Sequence, residues 1–163
     1  MKRLLVFILP VFLFSCMNEK EGKVTTVKFN TVEKYLGNDN DTVYIITFWS
    51  VDNKVSVSQL PYFDRIRKDY DDEKVKVIPV SLDMAIEKDT RVLPVLKKLG
   101  INTDVLLLDD PDTRKWRVKI SPLWKGELPA TLIYRGNEAE FYQESLNYNK
   151  LKSILNGLLK KKD

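Results

Sequence analysis

The residues able to do chemistry in this chain are few, and most of them sit in one short stretch. The polar loop Asp52–Asn53–Lys54–Val55–Ser56 lies between an apolar run ending in Phe48-Trp49 and a helical pattern that meets Pro61. Ser56 or Ser58 would act as a nucleophile only with a base beside it. The 163-residue chain has no histidine, which removes the usual base near neutral pH and the commonest metal ligand. Lys54 is expected to lie exposed, without the desolvation that turns an amine into a base. There is one cysteine, Cys16, so neither an intrachain disulfide nor a cysteine-based metal site can form. Asp83, Asp109, Asp110 and Asp112 fall near strand ends or in loops. Solvated surface charge accounts for them better than a weak cation site does. No metal and no cofactor is expected.

Cys16 stands at the end of a segment with a different purpose. Met1-Lys2-Arg3 is positive, and Leu4 to Phe14 is an apolar run of 11 residues. Spanning a bilayer takes about 20, so the run fits the hydrophobic region of a secretory signal. Leu13-Phe14-Ser15-Cys16 resembles the lipobox of bacterial lipoproteins. That resemblance implies a signal peptide over 1–15, cleavage before Cys16, and lipid on its sulfur and new amino group. The protein would then be anchored in the bacterial cell envelope. The alternative is an incidental thiol in an ordinary leader or anchor helix. Residues 16–23 are mostly polar and read as a flexible tether, and 24–163 as one domain.

Net charge excludes another class of partner. The chain carries 27 basic and 23 acidic residues, formally +4. Losing Lys2 and Arg3 with the leader leaves 25 against 23, or +2, too small for nucleic acid to be the main partner. Lys160-Lys161-Lys162 reads as a solvated helix end.

The elements that must hold the loop follow from periodicity. Val24 to Phe29 reads as a short strand and Thr31 to Leu36 as one helical turn. Val43 to Trp49, seven mostly apolar residues, fits a strand buried on both faces. Val57, Leu60, Phe63, Ile66 and Tyr70 mark an amphipathic helix, which Pro61 should kink. Asp71-Asp72-Glu73 is a charged turn and Val75 to Leu82 a second buried strand. Asp89 or Thr90 is placed to cap a helix that ends at Gly100. Val105 to Leu108 is a third strand. Asp110 to Gly126 reads as irregular; its Trp116 and Trp124 either pack under the loop or form a partner-facing patch. Ala130 to Tyr134, the turn Arg135-Gly136-Asn137 and Glu138 to Tyr142 form a hairpin. Leu151, Ile154, Leu155, Leu158 and Leu159 line a final helix. The order predicts an α/β fold: a mixed sheet with parallel core strands, an antiparallel C-terminal hairpin, and helices on both faces.

Residues 24 to 160 resemble thioredoxin-like proteins, most closely the envelope-tethered thiol-disulfide oxidoreductases of the TlpA and ResA type. Phe48-Trp49 and Leu60-Pro61 match that family's pairs, and the ten residues between them fix the loop without gaps. Trp124-Lys125-Gly126-Glu127-Leu128-Pro129-Ala130-Thr131 resembles the family segment that carries a cis-proline facing the loop. The resemblance implies a three-layer sandwich with Pro129 cis. It places the two cysteines of the Cys-x-x-Cys motif on Asn53 and Ser56. Neither side chain forms the thiolate that dithiol exchange or peroxide reduction requires. What the resemblance leaves is a binding face of Asp52, Lys54, Trp124, Leu128 and Pro129. There the backbone before the proline would pair with an extended peptide or envelope protein. The alternatives are a redox role through a partner's cysteine, and a spacer that binds nothing.

Overall fold

A computed structural model describes residues 22–70 and 74–160. The leader, Cys16, most of the tether, Asp71-Asp72-Glu73 and Lys161-Lys162 lie outside the described residues.

The sheet grows from β2, Val43–Trp49, whose seven residues are all buried. Alternate side chains go to opposite faces, as a strand requires. Tyr44, Ile46 and Phe48 enter one cluster, while Val43, Ile45 and Trp49 enter the clusters on the other side. β2 pairs in parallel with β3 (Val75–Ser81), which pairs in parallel with β4 (Val105–Leu108), and β4 with β1 (Val24–Val27). On its other edge β2 meets β5 (Ala130–Arg135) antiparallel, and β5 turns through Gly136 into β6 (Glu138–Tyr142). The order is β1-β4-β3-β2-β5-β6, the mixed sheet that the sequence predicts.

Helices cover both faces. α1 (Phe29–Glu33) and α4 (Thr113–Ile120) bury Phe29, Val32, Trp116 and Ile120 against the even-numbered face of β2. α2 (Lys54–Asp69), α3 (Leu93–Leu99) and α5 (Tyr148–Lys160) cover the other. α2 runs through Pro61 as 16 residues. Asp64, 6% exposed, ties α2 to the start of β4: its Oδ1 accepts from Asn102 N, Thr103 N and Thr103 Oγ1 at 3.1, 2.9 and 2.6 Å.

Three expectations need correction. The segment before Gly100 does not begin at a cap on Asp89 or Thr90. It starts with a 3-10 turn at Ala85, passes through a π turn over Lys88–Val92, and only then becomes α3. Pro94 explains the switch: with no N–H it cannot bond the carbonyl four residues back. Gly100 does end the helix, at φ +65°. Secondly, residues 113–120 are helical rather than irregular, with Trp116 and Ile120 as the buried pair. Thirdly, α1 begins at Phe29 and β1 stops at Val27, two residues earlier in each case than the apolar pattern suggests.

Candidate functional site

Asn53 ends the loop after β2 and caps α2. Its Oδ1 accepts from Ser56 N at 2.8 Å, the ordinary N-cap bond. Its Nδ2 donates to the carbonyl oxygen of Leu128 at 3.1 Å. Leu128–Pro129 is a cis peptide. The cis-proline expectation is met, and the loop faces that segment through a direct hydrogen bond.

Ser56 is fully buried. Its hydroxyl donates to Asn53 O at 2.8 Å and accepts from Ser50 N at 3.3 Å. A hydroxyl so engaged, with no base among its partners, is a structural group. Ser58 likewise gives its proton to Val55 O at 2.8 Å.

Asp83 organises the loop, and solvated surface charge is the wrong description of it. It is 6% exposed. Oδ1 accepts from Ser50 Oγ at 2.8 Å and Val51 N at 3.0 Å, and Oδ2 from Ser81 Oγ at 2.7 Å. The end of β3 thereby grips the end of β2. The other three aspartates are also engaged. Asp109 pairs with Lys28 and Asp112 with Lys115. Asp110 accepts from Phe29 N and Asp112 N, each at 3.1 Å, and those backbone donors hold its carboxyl below the usual range.

Asp52 and Lys54 are exposed on either side of Asn53. Asp52 forms an ion pair with Arg91 of the π turn, and Arg91 also meets Glu87 at 2.6 Å. The Arg91 hydrogen bond lowers the Asp52 carboxyl below its ordinary range. A lowered acid holds its contact above the normal carboxylate range and loses it as pH falls through the lowered value. Asp52 is exposed and Arg91 half-buried, so the pair orients the loop more than it stabilises the fold.

Trp124 is not partner-facing. It is 4% exposed and its ring lies 4.5 Å from that of Phe48. Its Nε1 donates to Glu127 O at 2.9 Å. Trp116 is buried too, with Nε1 on Asp110 O at 3.2 Å. Both belong to the core. Leu128 is half-buried and Pro129 buried. Because Asn53 already occupies Leu128 O, only the carbonyl's second lone pair and the Leu128 N–H remain for another chain.

The sequence did not single out the apolar residues that the fold exposes near this loop. Val55 is 50% exposed, Met84 63% and Ile86 84%. They stand in the first turn of α2 and in the segment after Asp83, where chain order carries no signal of proximity. A groove of about 590 Å³ continues from Asp83 and Met84 past Leu108 to Trp116 and Gly126. Gly126 is at φ +102°, and a Cβ there would lie 2.0 Å from Arg117 Nη1. The left-handed φ favours glycine here, and a Cβ would displace the Arg117 guanidinium from this side of the groove.

These features lie at the carboxyl ends of the parallel strands, the usual place for a site in such a sheet. The chain is similar to a thioredoxin-related protein from Neisseria meningitidis serogroup B: TM-score 0.65, 15% identity, 77% of this chain and 91% of that one. It is also similar to a thioredoxin-family thiol:disulfide interchange protein from Chlorobium tepidum TLS: TM-score 0.59, 14% identity, 73% and 81%. A third similar structure is the thioredoxin domain of a thiol-disulfide oxidoreductase from Bacteroides vulgatus, with TM-score 0.57, 14% identity, and coverage of 73% and 80%. The fold is thioredoxin-like. No protein-family model and no curated protein matches the sequence. The thioredoxin-like fold supplies the frame of the site, and the residues within it are this chain's own.

Proposed function

We propose that this protein is a lipid-anchored, thioredoxin-like module of the bacterial cell envelope that has lost its redox centre and binds an extended peptide or protein segment. One observation carries the reading. The two positions that the resemblance assigns to cysteine hold Asn53 and Ser56, and internal hydrogen bonds engage both side chains. The loop keeps its length, its helix cap and its contact with the cis-proline segment, while nothing in it can become a thiolate. Binding needs none of that chemistry. The Leu128 backbone, with exposed Val55, Met84 and Ile86 nearby in the fold, offers short strand pairing and apolar contact.

Two of the solved structures named above, those from Chlorobium tepidum and Bacteroides vulgatus, carry thiol-disulfide names, and that chemistry does not transfer to Asn53 and Ser56. Purified protein with Cys16→Ser is expected to leave insulin disulfides and hydrogen peroxide at the rate of a buffer blank. Turnover above that blank overturns the non-catalytic reading.

A further inference from the structure

We propose that the protein stands on its membrane by the end of the sheet at which β1, β2, β3 and β4 begin, holding the Asn53–Pro129 face away from that membrane. The inference deepens the proposed function and rests on its reading of Cys16 as the lipidated residue.

Where the chain leaves the domain is fixed by contacts. Lys23 N donates to Asp104 Oδ1 at 2.8 Å, and Val105 N to Lys23 O at 2.8 Å. One residue earlier the backbone passes so close to residues 102–103 that a Cβ on Gly22 would lie 2.4 Å from Thr103 O. Glycine is required there because the backbones are almost in contact. The exit point is therefore clamped to the start of β4, immediately before β1.

Direction then follows from topology. β1, β4, β3 and β2 are parallel, so all four start at the end that holds Gly22. The loop carrying Asn53 follows the far end of β2. The cis Leu128–Pro129 peptide precedes Ala130, which pairs with Phe48 at that same far end. From Val43 to Trp49, six steps, β2 spans about 20 Å, and the segments that carry Asn53 and Pro129 lie beyond its far end. From Cys16 to Gly22 is likewise six steps, at most about 22 Å when fully extended. The tether is no longer than β2 and those segments together, so the anchored end stays near the bilayer and the far face stays off it.

Charge does not set this orientation. Lys97 and Lys98 in the last turn of α3 share the near end with Asp69 at the end of α2 and with Asp104. The near end is mixed in sign, so the tether decides. The consequence concerns the partner: it reaches the Asn53–Pro129 face from the aqueous side, as a soluble chain or as one held on another surface.

The test uses the full-length gene product, isotopically labelled, extracted from membranes and placed in lipid nanodiscs that contain a gadolinium-chelating lipid. Backbone amides of Lys23, Lys97–Asn102 and Val105 are expected to relax several-fold faster than those of Val51–Val55, Met84–Ile86 and Leu128. Faster relaxation at Val51–Val55, or equal relaxation at both ends, overturns the orientation. The mass of the N-terminal peptide reads the anchor separately: an unmodified Cys16 overturns the lipoprotein reading on which the orientation rests. Neutral and anionic nanodiscs are expected to give the same pattern, and reorientation on anionic lipid would contradict the tether as its cause.

Discussion

Replacing Asn53 and Ser56 together with cysteine, in a Cys16→Ser background, is expected to give this fold thiol-disulfide oxidoreductase activity. The expectation follows from how little else has to change. Residue 53 is the N-cap of a 16-residue helix, where the helix dipole favours an anion and lowers the pKa of a thiol. The side chain of residue 56 folds back over it, since Ser56 Oγ lies 2.8 Å from Asn53 O. Asp83 holds the loop from behind through Ser50 and Val51, and the cis peptide faces it. The double variant should form an intramolecular disulfide and reduce insulin more than about tenfold above the single-cysteine variants, which have an attacking thiol but no resolving partner. A variant that forms the disulfide yet shows no turnover would mean that the face around the loop does not admit a disulfide substrate.

The second large effect is one of stability. Trp124→Ala is expected to cost about 3–5 kcal/mol, the range for truncating a buried aromatic. The ring is 4% exposed and packs with Phe48, Trp116 and Phe141 at centroid distances of 4.5, 5.7 and 6.0 Å. A loss of that size approaches the total stability of many single domains, so Trp124→Phe is the companion variant. It keeps an aromatic ring and removes the Nε1 bond to Glu127 O, for a smaller loss of about 1–2 kcal/mol. Urea unfolding reads both. An alanine variant as stable as the wild type would return Trp124 to the surface.

That second case shows where sequence reasoning stops. Seven mostly apolar residues in Val43–Trp49 announce a central strand, and their alternation between faces follows from strand geometry. Asn53 caps α2 through Ser56 N, a role not assigned to it from sequence. Tryptophan gives no such guidance, since its apolar body and polar N–H suit a core as well as an interface. Only the fold puts Trp124 against Phe48. α4 escaped notice because Arg114, Lys115, Arg117 and Lys119 crowd a helix with only two buried residues, Trp116 and Ile120. Asp83 looks like any aspartate after a strand until β2 and β3 pair and bring Ser50 and Val51 to it. The Asn53–Leu128 bond joins residues 75 apart in sequence, a contact that only the fold creates.

The same bond bears on the proposed binding face. A free Leu128 backbone would be open to any extended segment. With its carbonyl already held by Asn53, pairing in the proposed mode would be shorter, and exposed apolar residues would carry more of the recognition. Val55, Met84 and Ile86 are large apolar side chains exposed on elements that border the loop. Val118, 57% exposed on α4, provides an equally apolar position on another element.

Photo-crosslinking in living cells tests the binding claim most directly. A photoreactive phenylalanine analogue is placed at Val55, Met84 or Val118 of the full-length protein. Discrete adducts of the same mass at Val55 and Met84, absent at Val118, are the predicted result. No adduct at Val55 and Met84, or the same adducts at all three positions, would contradict a partner held at the Asn53–Pro129 face.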